Sequence, residues 1–169
     1  MSEEIKNRVA SSKLVTLDLE DYYPKEERVV IDISGWLYEG LILREKDFRD
    51  RVKNHSWIDF KDKYVVLTCS TEAIIPSWAY LLLTTALFPY AKKTIIGSLD
   101  LLENIIFQDI VNALPIEPFE NKPVIVKGCS NVEIPQSAYI RLTERLMPVV
   151  SSLMFGEACS SVPLFKKRN

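Results

Sequence analysis

Three cysteines carry the least ordinary chemistry in this chain, and each is followed by serine: Cys69-Ser70, Cys129-Ser130 and Cys159-Ser160. A thiolate binds zinc, iron and iron–sulfur clusters, and it is a nucleophile where its surroundings favour ionisation. The close cysteine pairs of the usual zinc motifs are absent, so a shared site at Cys69, Cys129 and Cys159 requires the fold to gather distant segments. Accessory oxygen or nitrogen donors are few. Glu72 and Glu157 lie just after two of the strands expected below, and His55 is the only histidine. His55 in "NHSW" is also a natural cap for the last turn of a helix.

Several classes of catalysis are excluded by what is missing. A cysteine phosphatase needs arginine six residues after the cysteine, where this chain has Ile75 and Pro135. A Cys-His pair has only His55 to draw on. With five glycines in 169 residues, the chain has neither a Walker nor a dinucleotide-binding pattern.

The elements that must position the cysteines are written twice. A constant shift of 59 residues aligns Ile75–Gly97 with Ile134–Gly156, with identities at Ile75/Ile134, Pro76/Pro135, Ala79/Ala138, Tyr80/Tyr139, Leu83/Leu142, Thr84/Thr143, Leu87/Leu146, Pro89/Pro148 and Gly97/Gly156. One inserted residue upstream then pairs Cys69-Ser70 with Cys129-Ser130. Such self-similarity reads as an internal duplication. Each copy opens on a β-branched run, "YVVLT" (64–68) or "VIVKG" (124–128), suited to a strand buried on both faces. A loop follows, and then Pro76 or Pro135, expected in the first helical turn. Helical periodicity comes next, and "TIIG" (94–97) or "LMFG" (153–156) closes the unit. Trp78, Tyr80 and Tyr139 open the two helices and are expected to pack against the sheet.

Further elements frame the copies. "RVVIDI" (28–33) reads as a strand whose Asp32 caps the next loop, and "REKDFRDRVKNH" (44–55) as an amphipathic helix. "SLDLLENIIFQDIVNAL" (98–114) reads as a helix with a capping box at Asp100 and Glu103. "SGWLYEGLIL" (34–43) is apolar enough for another strand or an interface patch. The expected architecture is a three-layer α/β domain over 28–169 with about five mainly parallel strands and an internally duplicated β-α-β unit. Residues 1–27 are expected to form an irregular arm. In such folds the carboxyl ends of parallel strands form the ligand-binding edge, which is where all three cysteines fall.

Composition narrows the partners. The net charge is −2, with 21 basic and 23 acidic residues, which leaves no broad electrostatic footprint for nucleic acid. Lys166, Lys167 and Arg168 make only a basic tip. Residues 73–91 lack charge, but Pro76 and Pro89 and the charged sister segment argue against a membrane span. This uncharged helix, 76–89, is instead a candidate surface for homo-oligomerisation, with Ala86 expected on its exposed side. The polar, acidic N-terminus has no signal-peptide pattern, and three unpaired cysteines suit a reducing, cytoplasmic compartment.

The phrases "GLILREKDFR", "CSTEAIIPSWAY", "IPQSAY" and "SLMFGEACSSVPLFK" resemble a family of small bacterial proteins catalogued only as a domain of unknown function. The resemblance runs from about Asp18 to Lys167. It implies an association with genes of iron–sulfur cluster assembly, which suits Cys69, Cys129 and Cys159. Three expectations follow. The first is a thiolate site for zinc, iron or an iron–sulfur cluster that serves cluster assembly or metal handling without turnover. The second is a non-enzymatic α/β module that forms a homodimer. The third is an enzyme with Cys69 or Cys129 as nucleophile on a small ligand.

Overall fold

The computed structural model describes residues 14–168. Along them run β1 (Val15–Leu17), β2 (Arg28–Asp32), α1 (Glu45–Asn54), β3 (Tyr64–Thr68), α2 (Ser77–Leu87), β4 (Lys93–Ile96), α3 (Leu99–Ala113), β5 (Pro123–Val126), α4 (Gln136–Leu146), β6 (Ser152–Glu157) and β7 (Ser160–Lys166). The strands form two sheets, one of order β2-β3-β4 and one of order β1-β5-β6-β7. Pairings are parallel except for the β6–β7 hairpin. The chain is thus mixed α/β and mainly parallel, but with seven described strands in two sheets rather than about five.

Two compact units result, one of residues 24–103 and one joining residues 14–23 to 104–168. The first is the three-stranded sheet with α1 and α2. Its central strand β3 has Val65, Val66 and Leu67 fully buried, as expected for a strand covered on both faces. Ile31, Val65 and Leu67 meet Phe48 and Val52 of α1 and Ala79, Leu83 and Leu87 of α2. The four-residue spacing of those α2 residues puts them on one face, which is why this helix packs where it does.

In the second unit, Val124 and Val126 of β5 and Leu153 of β6 meet Ala138, Leu142 and Leu146 of α4 and Phe107, Val111 and Leu114 at the α3 side of the core. β7 is an edge strand, blunted by Pro163 and by a register shift opposite Leu153/Met154.

The two units repeat backbone details at a spacing of 59 residues. Asp62 (φ 59°) donates its N–H to the Tyr90 carbonyl at 2.9 Å, and Asn121 (φ 53°) donates to Val149 at 2.8 Å. Lys92 donates to the Lys63 carbonyl, and Ser151 to that of Lys122. Thr84 Oγ1 reaches the Tyr80 carbonyl and Thr143 Oγ1 that of Tyr139, both at 2.8 Å.

Several local expectations are corrected. Pro76 and Pro135 stand just outside their helices, with extended ψ of 144° and 138°. Each instead offers its carbonyl to the first turn, accepting from the N–H of Ala79 or Ala138. The cap of α3 is Ser98, whose Oγ accepts from the Leu101 N–H, while Glu103 binds Arg28 at 2.7 Å. Residues 34–43 are no strand: a 3-10 turn (Ile33–Trp36) leads to a tight turn closed by an isolated Tyr38–Ile42 bridge, with Glu39 and Gly40 at positive φ. The segment expected as an irregular arm holds β1 and the 3-10 turn Leu19–Tyr22, because Leu17 and Leu19 belong to the core. Its residues 1–13 lie outside the described ones.

Candidate functional site

Each unit carries its first cysteine just beyond a central parallel strand, and in each a carboxylate from the preceding strand end fixes the loop. In the unit 24–103, β2 ends at Asp32 and β3 at Thr68. Asp32 Oδ1 accepts from the Ser34 N–H at 2.9 Å and from the Ser70 N–H at 3.1 Å, and Ser70 Oγ meets Ser34 Oγ at 3.1 Å. The Ser70 side chain and these two backbone N–H groups hold the Asp32 carboxyl far below the usual carboxylate range. Cys69 is half-buried, with Sγ 3.4 Å from Thr71 Oγ1, which in turn donates to the Gly40 carbonyl at 2.6 Å. The Tyr80 phenol is pushed up, by burial first and then by the nearby Cys69.

The other unit repeats the plan with more charge. Asp18 follows β1, and its Oδ1 accepts from the Glu20 N–H at 2.9 Å. Its Oδ2 accepts from Lys127 Nζ at 2.8 Å, a bond that raises the lysine pKa. The Glu20 carboxylate receives both the backbone N–H and Nδ2 of Asn131, each at 2.9 Å, and these bonds lower its pKa. Asn131 lies two residues beyond Cys129, so the thiol-bearing loop is latched to the 3-10 turn. Ser130 Oγ donates to the Val132 carbonyl. Cys129 itself is exposed. Tyr139 is raised by burial first, then by the charges of Asp18 and Cys129.

Gly128 precedes that thiol for a steric reason. A Cβ there would fall 2.9 Å from the Phe155 ring. On the neighbouring strand, Glu157 ends β6 with a fully buried Oε1 that has no hydrogen-bond partner, and its charge acts on Lys127. Cys159 occupies the tight turn between β6 and β7, exposed.

The residues picked from sequence therefore divide. Cys69 belongs to one unit, Cys129 and Cys159 to the other. Glu72 is exposed in the loop beyond Cys69. His55 stands at the carboxyl end of α1, packed against Trp36, Trp57 and Phe60 at ring distances of 5.2, 4.6 and 5.7 Å, in an aromatic cluster. Among the described residues, no group of three or more His, Cys, Asp or Glu side chains is placed to hold a metal ion. Sequence reasoning missed Asp18, Glu20 and Lys127. The available signal was the pair "TLDLED" (16–21) and "VIDISG" (30–35), an aspartate ending a β-branched run in each case.

Among the described residues, no helix is long and apolar enough to cross a membrane. A family model described as a protein of unknown function, DUF2480, matches residues 3–167. No curated protein and no solved structure matches.

Proposed function

The chain belongs to the DUF2480 family, and on that premise we propose that it is a binding protein that handles a thiophilic metal or an iron–sulfur cluster through its cysteines, without turnover of its own. The observation that carries this reading is the exposure of Cys129 and Cys159 on one unit, each just past a strand's carboxyl end, with the Cys129 loop latched by Glu20. A soft cation sits about 2.3 Å from each thiolate sulfur. With no closed donor set among the described residues, ligands from a partner protein or a small thiol complete the shell. An open shell of that kind suits passing a metal on, not storing it. Cys69, half-buried and engaged with Thr71, is a separate thiol on the other unit and no part of this pair. Glu157, Glu72 and His55 are accessory at most, Glu157 having a buried oxygen that lacks a donor.

The paired features at 59-residue spacing support an internal duplication, in which one copy (24–103) is inserted within the other. Each copy keeps an aspartate, a Cys-Ser loop and a tyrosine at the equivalent strand ends of its own unit, which supports a binding role for those ends. Three unpaired thiols support a reducing, cytoplasmic location.

Competition against a chromophoric zinc chelator, under reducing conditions, tests the reading. The protein is expected to withdraw zinc from the chelator, and Cys129→Ser or Cys159→Ser to weaken the withdrawal at least tenfold. Equal behaviour of wild type and both variants would refute it.

A second reading, an α/β interaction module that self-associates through residues 76–89, is favoured by one specific observation. Leu81 and Phe88 are 65% and 83% exposed on that uncharged segment.

A further inference from the structure

We propose that the exposed face of α2 is a homodimer interface, on which a second copy of this chain packs its own α2 antiparallel about a two-fold axis. This rests on the self-association reading above, and it is independent of the thiols.

Ser77, Leu81, Thr84, Thr85 and Phe88 are all exposed. Their spacing places them along one stripe of the helix, opposite the core-facing Ala79, Leu83 and Leu87. Ile74, three residues before the helix, is 92% exposed. A two-fold axis presents the same surface to itself, each position i meeting a position j and j meeting i, so a stripe without charge buries no unpaired charge in the dimer. This stripe has none. The equivalent positions on α4 are Gln136, Ile140, Thr143, Glu144 and Met147, with Glu144 paired to Arg141 at 3.0 Å and Met147 only 37% exposed. The apolar stripe is therefore peculiar to one helix of the pair.

Shape agrees with the antiparallel arrangement. Alignment centred between Leu82 and Leu83 sets Phe88 of one copy opposite Ser77 of the other, and Leu81 opposite Thr84. Each large side chain thus meets a small one, as interdigitating helices require. Ile74, Leu81 and Phe88, 92%, 65% and 83% exposed, supply the apolar area on which a stable interface of roughly 800 Å² per partner draws. Charged Glu45 and Arg49 of the adjoining α1, bonded to each other at 2.8 Å beside Trp78, form a polar rim.

Light scattering in reducing buffer reads the outcome directly. Wild-type protein is expected at twice the chain mass of 19.4 kDa. L81E and T84K are each expected at the single-chain mass, with unchanged circular dichroism because both positions face solvent. I140E on α4 is expected to keep the dimer mass. Mixing L81E with T84K restores a dimer holding one of each chain, since the new carboxylate meets the new ammonium across the axis. A monomeric wild type, a dimeric L81E or a mixture that stays monomeric would overturn the proposal. Zinc withdrawal by L81E, measured alongside, separates failure of this interface from failure of the thiol reading.

Discussion

At Asp32 one carboxylate oxygen receives two backbone N–H groups, and at Glu20 the two oxygens divide an N–H and an amide of Asn131. Both carboxyls are lowered in the folded state. A group so depressed stabilises the fold above its unfolded pKa of about 4, and that contribution is lost as pH falls through the folded value. Thermal unfolding followed from pH 7 down to pH 3 is therefore expected to show a falling midpoint, with a shallower fall in D32N and E20Q. Equal slopes in all three proteins would contradict the latch. Gly128 gives a steric prediction at the same scale. Gly128→Ala drives a Cβ into the Phe155 ring, at an expected cost of about 1–3 kcal/mol in urea unfolding. For the cysteines, alkylation is expected to label Cys129 and Cys159 ahead of half-buried Cys69. Labelling of Cys69 first would reverse the assignment of exposed ligands.

At the scale of elements, α2 and α4 share the core positions Leu83 and Leu142, both essentially unexposed beneath their sheets. Leu83→Ala and Leu142→Ala are each expected to cost about 2–5 kcal/mol, checked by denaturant midpoints. Much of this was legible in sequence. The run "YVVLT" became β3 because continuous β-branched residues suit a buried parallel strand, and "RVVID" became β2, an edge strand that buries only Ile31. Ala138, Leu142 and Leu146 announced α4 by their four-residue spacing. The elements that stayed hidden have physical reasons. β1 is three residues long, too short for any period to register, and it is held by its pairing with β5 across more than a hundred residues. β7 contains Pro163, which argues against a strand unless the strand lies at an edge, and an edge is where it lies. The division of strands into two sheets depends on which strand ends meet, and local pattern does not encode that. At the rim, the cysteines stood out in sequence by their shared Cys-Ser context. Their carboxylate latches did not, because Asp18 and Glu20 act on residues 109 and 111 positions away.

For the whole molecule, the chain reads as one architectural idea used in two units, with different surfaces on each. The unit 24–103 keeps a single carboxylate, Asp32, with Ser34 and Ser70 at its rim and exposes the uncharged stripe of α2. The unit of 14–23 and 104–168 gathers the charges of Asp18, Glu20 and Glu157 on Lys127, two residues before the exposed Cys129. The contrast is between a polar, thiol-presenting rim on one unit and an apolar helix face on the other. The central claim is that the thiols bind a thiophilic metal or cluster. Its most direct test is metal and acid-labile sulfide analysis of wild-type protein and a variant with Cys69, Cys129 and Cys159 all changed to serine, both purified without air. The account predicts thiol-dependent zinc, iron or iron with sulfide in the wild type, absent from the variant. Equal and negligible metal and sulfide in the two would contradict it.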